Sequence, residues 1–306
     1  MRAWRALGYA QRSLYSLDGP MPTFTVIQPR AEDVEGQPIL RPLPSAKSRS
    51  VGPFVFFDHM LVTDYPPGHG MNIQQHPHIG LSTLTYLFEG QLQHKDSLGS
   101  DQLVGPGEVS WMTAGAAIAH IERTPAPLRE QGSTLHGLQV WLASPKEHEQ
   151  GAGSYSHHPA DSLPVSDSLG VRVRMIAGTG FCLESPVPVL SPTVYAEIHM
   201  QTATTLLIPD EHQERALYVL QGDMQLEGQT LEPHSLVLLP AGEALTLSAD
   251  SDCHAVLIGG APLDGPRRMN WNFVASDREL IERARARWAA GDWPTVPFES
   301  GRIELP

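Results

Sequence analysis

The chain has 306 residues, 41% of them hydrophobic, with 27 Gly, 27 Pro and a formal net charge of -13. Its length admits two ordinary domains, and its Gly and Pro content favours many turns and short strands over long helices. The acidic balance disfavours direct contact with nucleic acid, which needs concentrated Lys and Arg.

Cys182 and Cys253 are too few for a disulfide scaffold and read as buried free thiols in a reducing compartment. The first twenty residues carry Arg2, Arg5 and Arg12, with no acid before Asp18, and look amphipathic. A mitochondrial-type presequence would be short here; an N-terminal arm, or an upstream start before Met21, fits better. No apolar run reaches signal-peptide or membrane length, so a cytoplasmic protein without a membrane partner is expected.

From Phe24 to Leu43 a weak alternation interrupted by prolines predicts an edge strand and its connection. Pro53 to Met60 reads as a buried strand, Asp64 to Gly70 as a loop, and His76 to Gly90 as a strand covered on both sides. His94 to Gly99 reads as a hairpin tip and Val109 to Thr113 as a strand. Gly115 then permits a tight bend into Ile118 to Glu122, and Leu135 to Leu142 closes this half. Residues 145 to 170, rich in Ser, Gly and Pro, read as a linker or surface loops, in which His157 and His158 are not expected to be functional.

Strand-and-turn grammar resumes after Val171, and Leu84 to Gly90 aligns with Leu217 to Gly222, so the economical reading is two copies of one β-domain. We place the domains at 1–145 and 146–306. Asp277 to Gly291 is the clearest helix, with acids early, arginines late and Gly after its end.

Two short strings carry the chemistry. In Gln75-His76-Pro77-His78 and His120-Ile121-Glu122, residues two apart on an extended strand point to one face. If the two strands face each other inside a barrel, His76, His78, His120 and Glu122 converge into a donor set suited to Fe, Mn, Ni, Cu, Co or Zn, with positions left open for substrate or dioxygen. The second half lacks such strings, and His199 and His254 look isolated, so one metal per chain is expected.

The strings His76-Pro77-His78-Ile79-Gly80, Trp111-Met112-Thr113-Ala114-Gly115 and Ile118-Ala119-His120-Ile121-Glu122 resemble the pirin family of two-domain cupins, as does His94-x-Asp96-Ser97-x-Gly99. More weakly, so do Leu217 to Gly222, Gly259 to Leu263 and Trp271 to Val274. The resemblance implies an all-β bicupin, two jelly-roll barrels in tandem with a C-terminal helix. It implies one metal, usually iron, at His76, His78, His120 and Glu122. It also implies two activities: cleavage of the flavonol quercetin by dioxygen, or service as an iron-dependent cofactor of transcription factors.

Two departures stand out. Ile79 and Ser82 occupy places that commonly hold Arg and Glu, and Ala116-Ala117 replaces the more usual Arg-Gly. Both are expected to alter the polarity of the pocket mouth. The leading expectation is an Fe(II)-dependent, quercetin 2,3-dioxygenase-like oxidoreductase acting on an aromatic small molecule, with Glu122 as proton acceptor. The alternative is an iron-dependent redox sensor that binds a protein partner.

Overall fold

A computed structural model describes residues 23–306; the arm expected over the first twenty residues lies outside them. The two expected barrels are present, each a large sheet facing a small one. In the first, a seven-stranded sheet that includes Phe54–Tyr65, Leu81–Glu89, Val109–Thr113 and Ser133–Ala143 faces a four-stranded sheet that includes Asn72–His78, Leu92–Asp96 and Ile118–Arg123. In the second, a larger sheet that includes Thr193–Met200, Glu214–Gln221 and Cys253–Gly260 faces four short strands. Among the described residues no helix is long and apolar enough to cross a membrane.

The barrels share a wall because strand pleating gives their large sheets two dry faces. Leu84 and Tyr86 of the first barrel pack with Ala216, Tyr218 and Val256 of the second in one continuous core. Leu217, Val219 and Leu257 point the other way and fill the second barrel with apolar side chains. In the first barrel, Thr83 and Thr85 point inward instead, beside a smaller apolar cluster around Met60, Leu87 and Leu135. One barrel is therefore plugged, and the other keeps a polar interior.

The segment expected as one strand from His76 to Gly90 is two. Gly80, at φ +64°, turns a corner between sheets, and a Cβ there would collide with the Val274 carbonyl oxygen. The presumed linker is also partly structured: Ser154–His158 pairs with Val109–Thr113 and extends the first large sheet. Its His157 bonds Glu108 at 3.0 Å and His158 bonds Ser156 at 3.0 Å. Cys253 is buried as expected, but Cys182 is exposed, because it lies on a turn rather than within a strand.

Both ends of the described chain cross between halves. Thr25–Ile27 pairs with Leu236–Leu239 of the second barrel. The helix Arg278–Ala290, capped by the Asp277 carboxylate and ended by Gly291 in the left-handed conformation, packs on the first barrel. Its Ile281 and Trp288 bury with Phe273 against Ile79, Ala119 and Ile121, which lie among the histidine-bearing strings. Trp288 is 1% exposed, so Trp288→Ala should cost about 3–5 kcal/mol, read as a lowered urea midpoint.

A group of imidazoles lines the seam between barrels. His59 bonds Tyr218 at 3.1 Å and His136 at 3.0 Å. Burial, with repulsion from His136 and its neighbours, pushes His59 down to about 3; burial, with repulsion from His254 and His234, pushes His136 down to about 4. Unfolded histidine takes up its proton near about 6.5. The contribution of these rings to stability is therefore complete above that pH and is lost as pH falls through the interval below it. Urea midpoints of metal-free protein should drop from pH 7 to pH 5, and His59→Gln with His136→Gln should make that drop smaller.

Candidate metal centre

The strands Asn72–His78 and Ile118–Arg123 pair antiparallel, with His120 opposite His76 and Ile118 opposite His78. That register brings His76, His78 and His120 together, all buried, with one donor atom of each within 4.8 Å of the others. His78 Nε2 and His120 Nε2 are 3.1 Å apart. Ligand atoms at that separation, each about 2.1 Å from an ion, subtend about 95° at it, an ordinary coordination angle.

The remaining ring nitrogens are tied outward. His76 Nδ1–H donates to the Gln74 carbonyl at 2.8 Å, and His78 Nδ1–H to the Asn272 carbonyl at 3.1 Å. His120 Nδ1 faces His94 Nδ1 at 3.4 Å, and His94 Nε2–H donates to Asp96 Oδ2 at 3.1 Å. Each Nε2 lone pair is thereby presented to the same point, the tautomer a metal ligand needs.

Burial holds the rings neutral. It pushes His76 down to about 4 and, with repulsion from neighbouring imidazoles, holds His78 and His120 well below the usual range. Burial opposes ionisation of Asp96 too, but hydrogen bonds from His94 and Ser100 prevail and hold its carboxyl below its ordinary value. The donor chemistry fits a divalent transition ion.

Glu122 stands outside the three-histidine group. A register shift between His120 and Glu122 sets Glu122 opposite Ile73, and its Oε1 lies 2.9 Å from the Thr85 hydroxyl. That hydroxyl also lies 2.7 Å from the Gln139 side-chain oxygen. One proton cannot serve both acceptors, so either Glu122 carries a proton or the Gln139 amide is turned. Burial raises the Glu122 carboxyl above its ordinary pKa.

The three histidines and Glu122 line one cavity of about 350 Å³, with Phe56, Trp141 and Trp271 in its walls, a size within the roughly 300–1,000 Å³ of small-molecule sites. Phe56 and Trp141 stack at 3.9 Å, and the Arg41 guanidinium, paired with Asp58 at 2.6 Å, lies over Phe56. The walls are flat and aromatic, and the polar groups sit at defined points.

Residues 36–142 match the family described as Pirin, and residues 195–294 match the Pirin C-terminal cupin domain. The chain belongs to the pirin family. A pirin-like protein of Caulobacter vibrioides is 41% identical over 286 residues, 92% of this pirin and 98% of the relative. A crystal structure described as quercetin 2,3-dioxygenase from Acinetobacter baumannii superposes with a TM-score of 0.86 at 31% identity, covering 92% and 95% of the two chains. A bacterial pirin of Escherichia coli, solved with nickel(II), shares the fold at 17% identity and a TM-score of 0.62, over 79% of this pirin and all of that chain.

The departures from the family pattern act elsewhere than at the cavity mouth. Ile79 is buried against Phe273 and the C-terminal helix, while Ser82 bonds Thr113 at 2.9 Å, and neither lines the cavity. Sequence reading missed His94 and Asp96 as partners of the site. It also missed Tyr155, which stacks on His94 at 4.3 Å from the presumed linker. The His94-x-Asp96 spacing was itself a signal, since two residues on one strand face share a side. Asp96→Asn, which keeps the oxygen that accepts from the turn amides, should weaken metal binding by about 10- to 100-fold, measured by competition with a chromophoric chelator.

Proposed function

We propose that this pirin is a metal-dependent dioxygenase that cleaves quercetin or a related flavonol or enol. Carrying the reading is the convergence of three Nε2 donors in a cavity with flat aromatic walls; the dioxygenase named for the Acinetobacter protein supports it. His76, His78 and His120 would hold the ion, Fe(II) being our choice, with Mn, Ni, Cu, Co and Zn as alternatives. The nickel(II) in the Escherichia coli pirin accords with a nitrogen-rich site.

A bound redox-active ion would supply Lewis acidity toward a substrate hydroxyl and the electron-transfer capacity that dioxygen chemistry requires. The chain's own residues do the rest. The stacked Phe56 and Trp141 form one aromatic wall against which a planar ring packs with exclusion of water, and the Arg41–Asp58 pair orients polar substituents. Glu122, with its raised carboxyl pKa and its place in the cavity wall, accepts the enol proton at a carboxylate oxygen, with Thr85 steadying the other side of the group. We assign Glu122 this role first, and a place among the metal ligands second.

Protein loaded without air with Fe(II), Mn(II), Ni(II) or Cu(II), then given quercetin and air, should bleach the flavonol and release carbon monoxide with at least one ion. Inactivity with all four removes the proposal. Glu122→Gln should keep the metal and lower turnover by about 10²- to 10⁴-fold; loss of metal instead would put Glu122 in the coordination sphere. His78→Ala should lose both.

A further inference from the structure

The second barrel carries a histidine pair that looks isolated in sequence and is not isolated in space. His199 and His254 lie directly opposite each other on Thr193–Met200 and Cys253–Gly260. Their rings stack at 4.0 Å and 17°. Both Nε2 atoms lie 3.1 Å from one oxygen, Oε1 of Glu197, two residues before His199 on the same strand face.

Glu197 is 6% exposed. Its other oxygen accepts the Tyr86 hydroxyl of the first barrel at 2.7 Å, and the Arg174 guanidinium lies 3.9 Å away. Burial opposes its ionisation, but the bonds from His199, His254 and Tyr86 prevail and hold the carboxyl far below its ordinary value. Burial meanwhile pushes the His254 imidazole down. Outside this group opens a cleft of about 440 Å³, whose wall includes Arg172, Gln221 and Asp252.

We propose that Glu197, His199 and His254 form a second binding site for a divalent transition ion of the Zn(II) type, independent of the site in the first barrel. One donor atom of each residue lies within 4.8 Å of the others. The 3.1 Å contacts are ordinary N–H···O separations, and they also equal the spacing of ligands about 2.1 Å from one ion at about 95°, so an ion can replace the bridging protons without moving the side chains. An ion there takes the place of the two ring N–H protons that point at the carboxylate, once the stacked rings carry their protons on Nδ1 instead. Two imidazoles and one carboxylate leave the cleft side free for water, as in an open three-ligand site.

The carboxylate that would bind the ion also holds Tyr86 of the neighbouring barrel. Binding would therefore tighten the seam and stabilise the native chain by mass action.

Equilibrium dialysis against Zn(II), with metal counted by elemental analysis, tests this. A His76→Ala, His120→Ala protein should still bind about one equivalent and melt at a higher temperature when Zn(II) is added. Adding His199→Ala and His254→Ala should abolish both effects. With the first site left intact, the His199→Ala, His254→Ala pair alone should lower the count from two to one, which keeps the test open if the other variants do not fold. Cu(II) spin resonance of the first-site-disabled protein should show two nitrogen ligands. Absence of bound Zn(II) in that folded protein, or a count unchanged by loss of His199 and His254, overturns the proposal.

Discussion

A buried imidazole can offer a lone pair to an ion only if its other nitrogen has somewhere to send a proton, and the first barrel is arranged around that requirement. Gln74 supplies an acceptor from the same strand, Asn272 from the distant C-terminal segment, and His94 from the adjoining strand, backed by Asp96. None of the three rings can turn without leaving a buried N–H unpaired, at a cost of about 1–3 kcal/mol. The convergence of the rings is thus fixed by groups that would never touch an ion.

The division of labour between the barrels follows from what each strand points inward. Alternation sends Leu84 and Tyr86 into the shared wall and Thr83 and Thr85 into the first interior, whereas Leu217 and Val219 close the second interior with hydrocarbon. A repeated architecture with unlike fillings needs no change of backbone, only of the residues on one face of the pleat. Tyr86 shows the economy of this arrangement: from a wall strand its hydroxyl reaches the Glu197 carboxylate in the other barrel.

Much of the site could be read from the chain because strand periodicity is strict. His76 with His78 had to share a face, and pairing with His120 followed once the two strings were adjacent. What periodicity could not reveal was the irregularity: the register shift between His120 and Glu122, and the Gly80 corner that splits one apparent strand between sheets. Long-range pairing was equally hidden. His199 and His254 are scattered in the sequence and become neighbours only through sheet register, and Tyr155 joins the site because a stretch that reads as connecting loop adds a strand to the edge.

The course of the final residues has a bearing on how the molecule is made. Val296 N–H and Ile303 N–H both bond Gln75, Trp293 Nε1–H bonds the Ile118 carbonyl, and Asn272 anchors His78. During translation the amino-terminal barrel emerges before these partners, which follow far along the chain, Val296 lying 221 residues after Gln75. The ion-binding pocket is consequently completed only after the second barrel has been made, so the first barrel does not reach metal competence on its own.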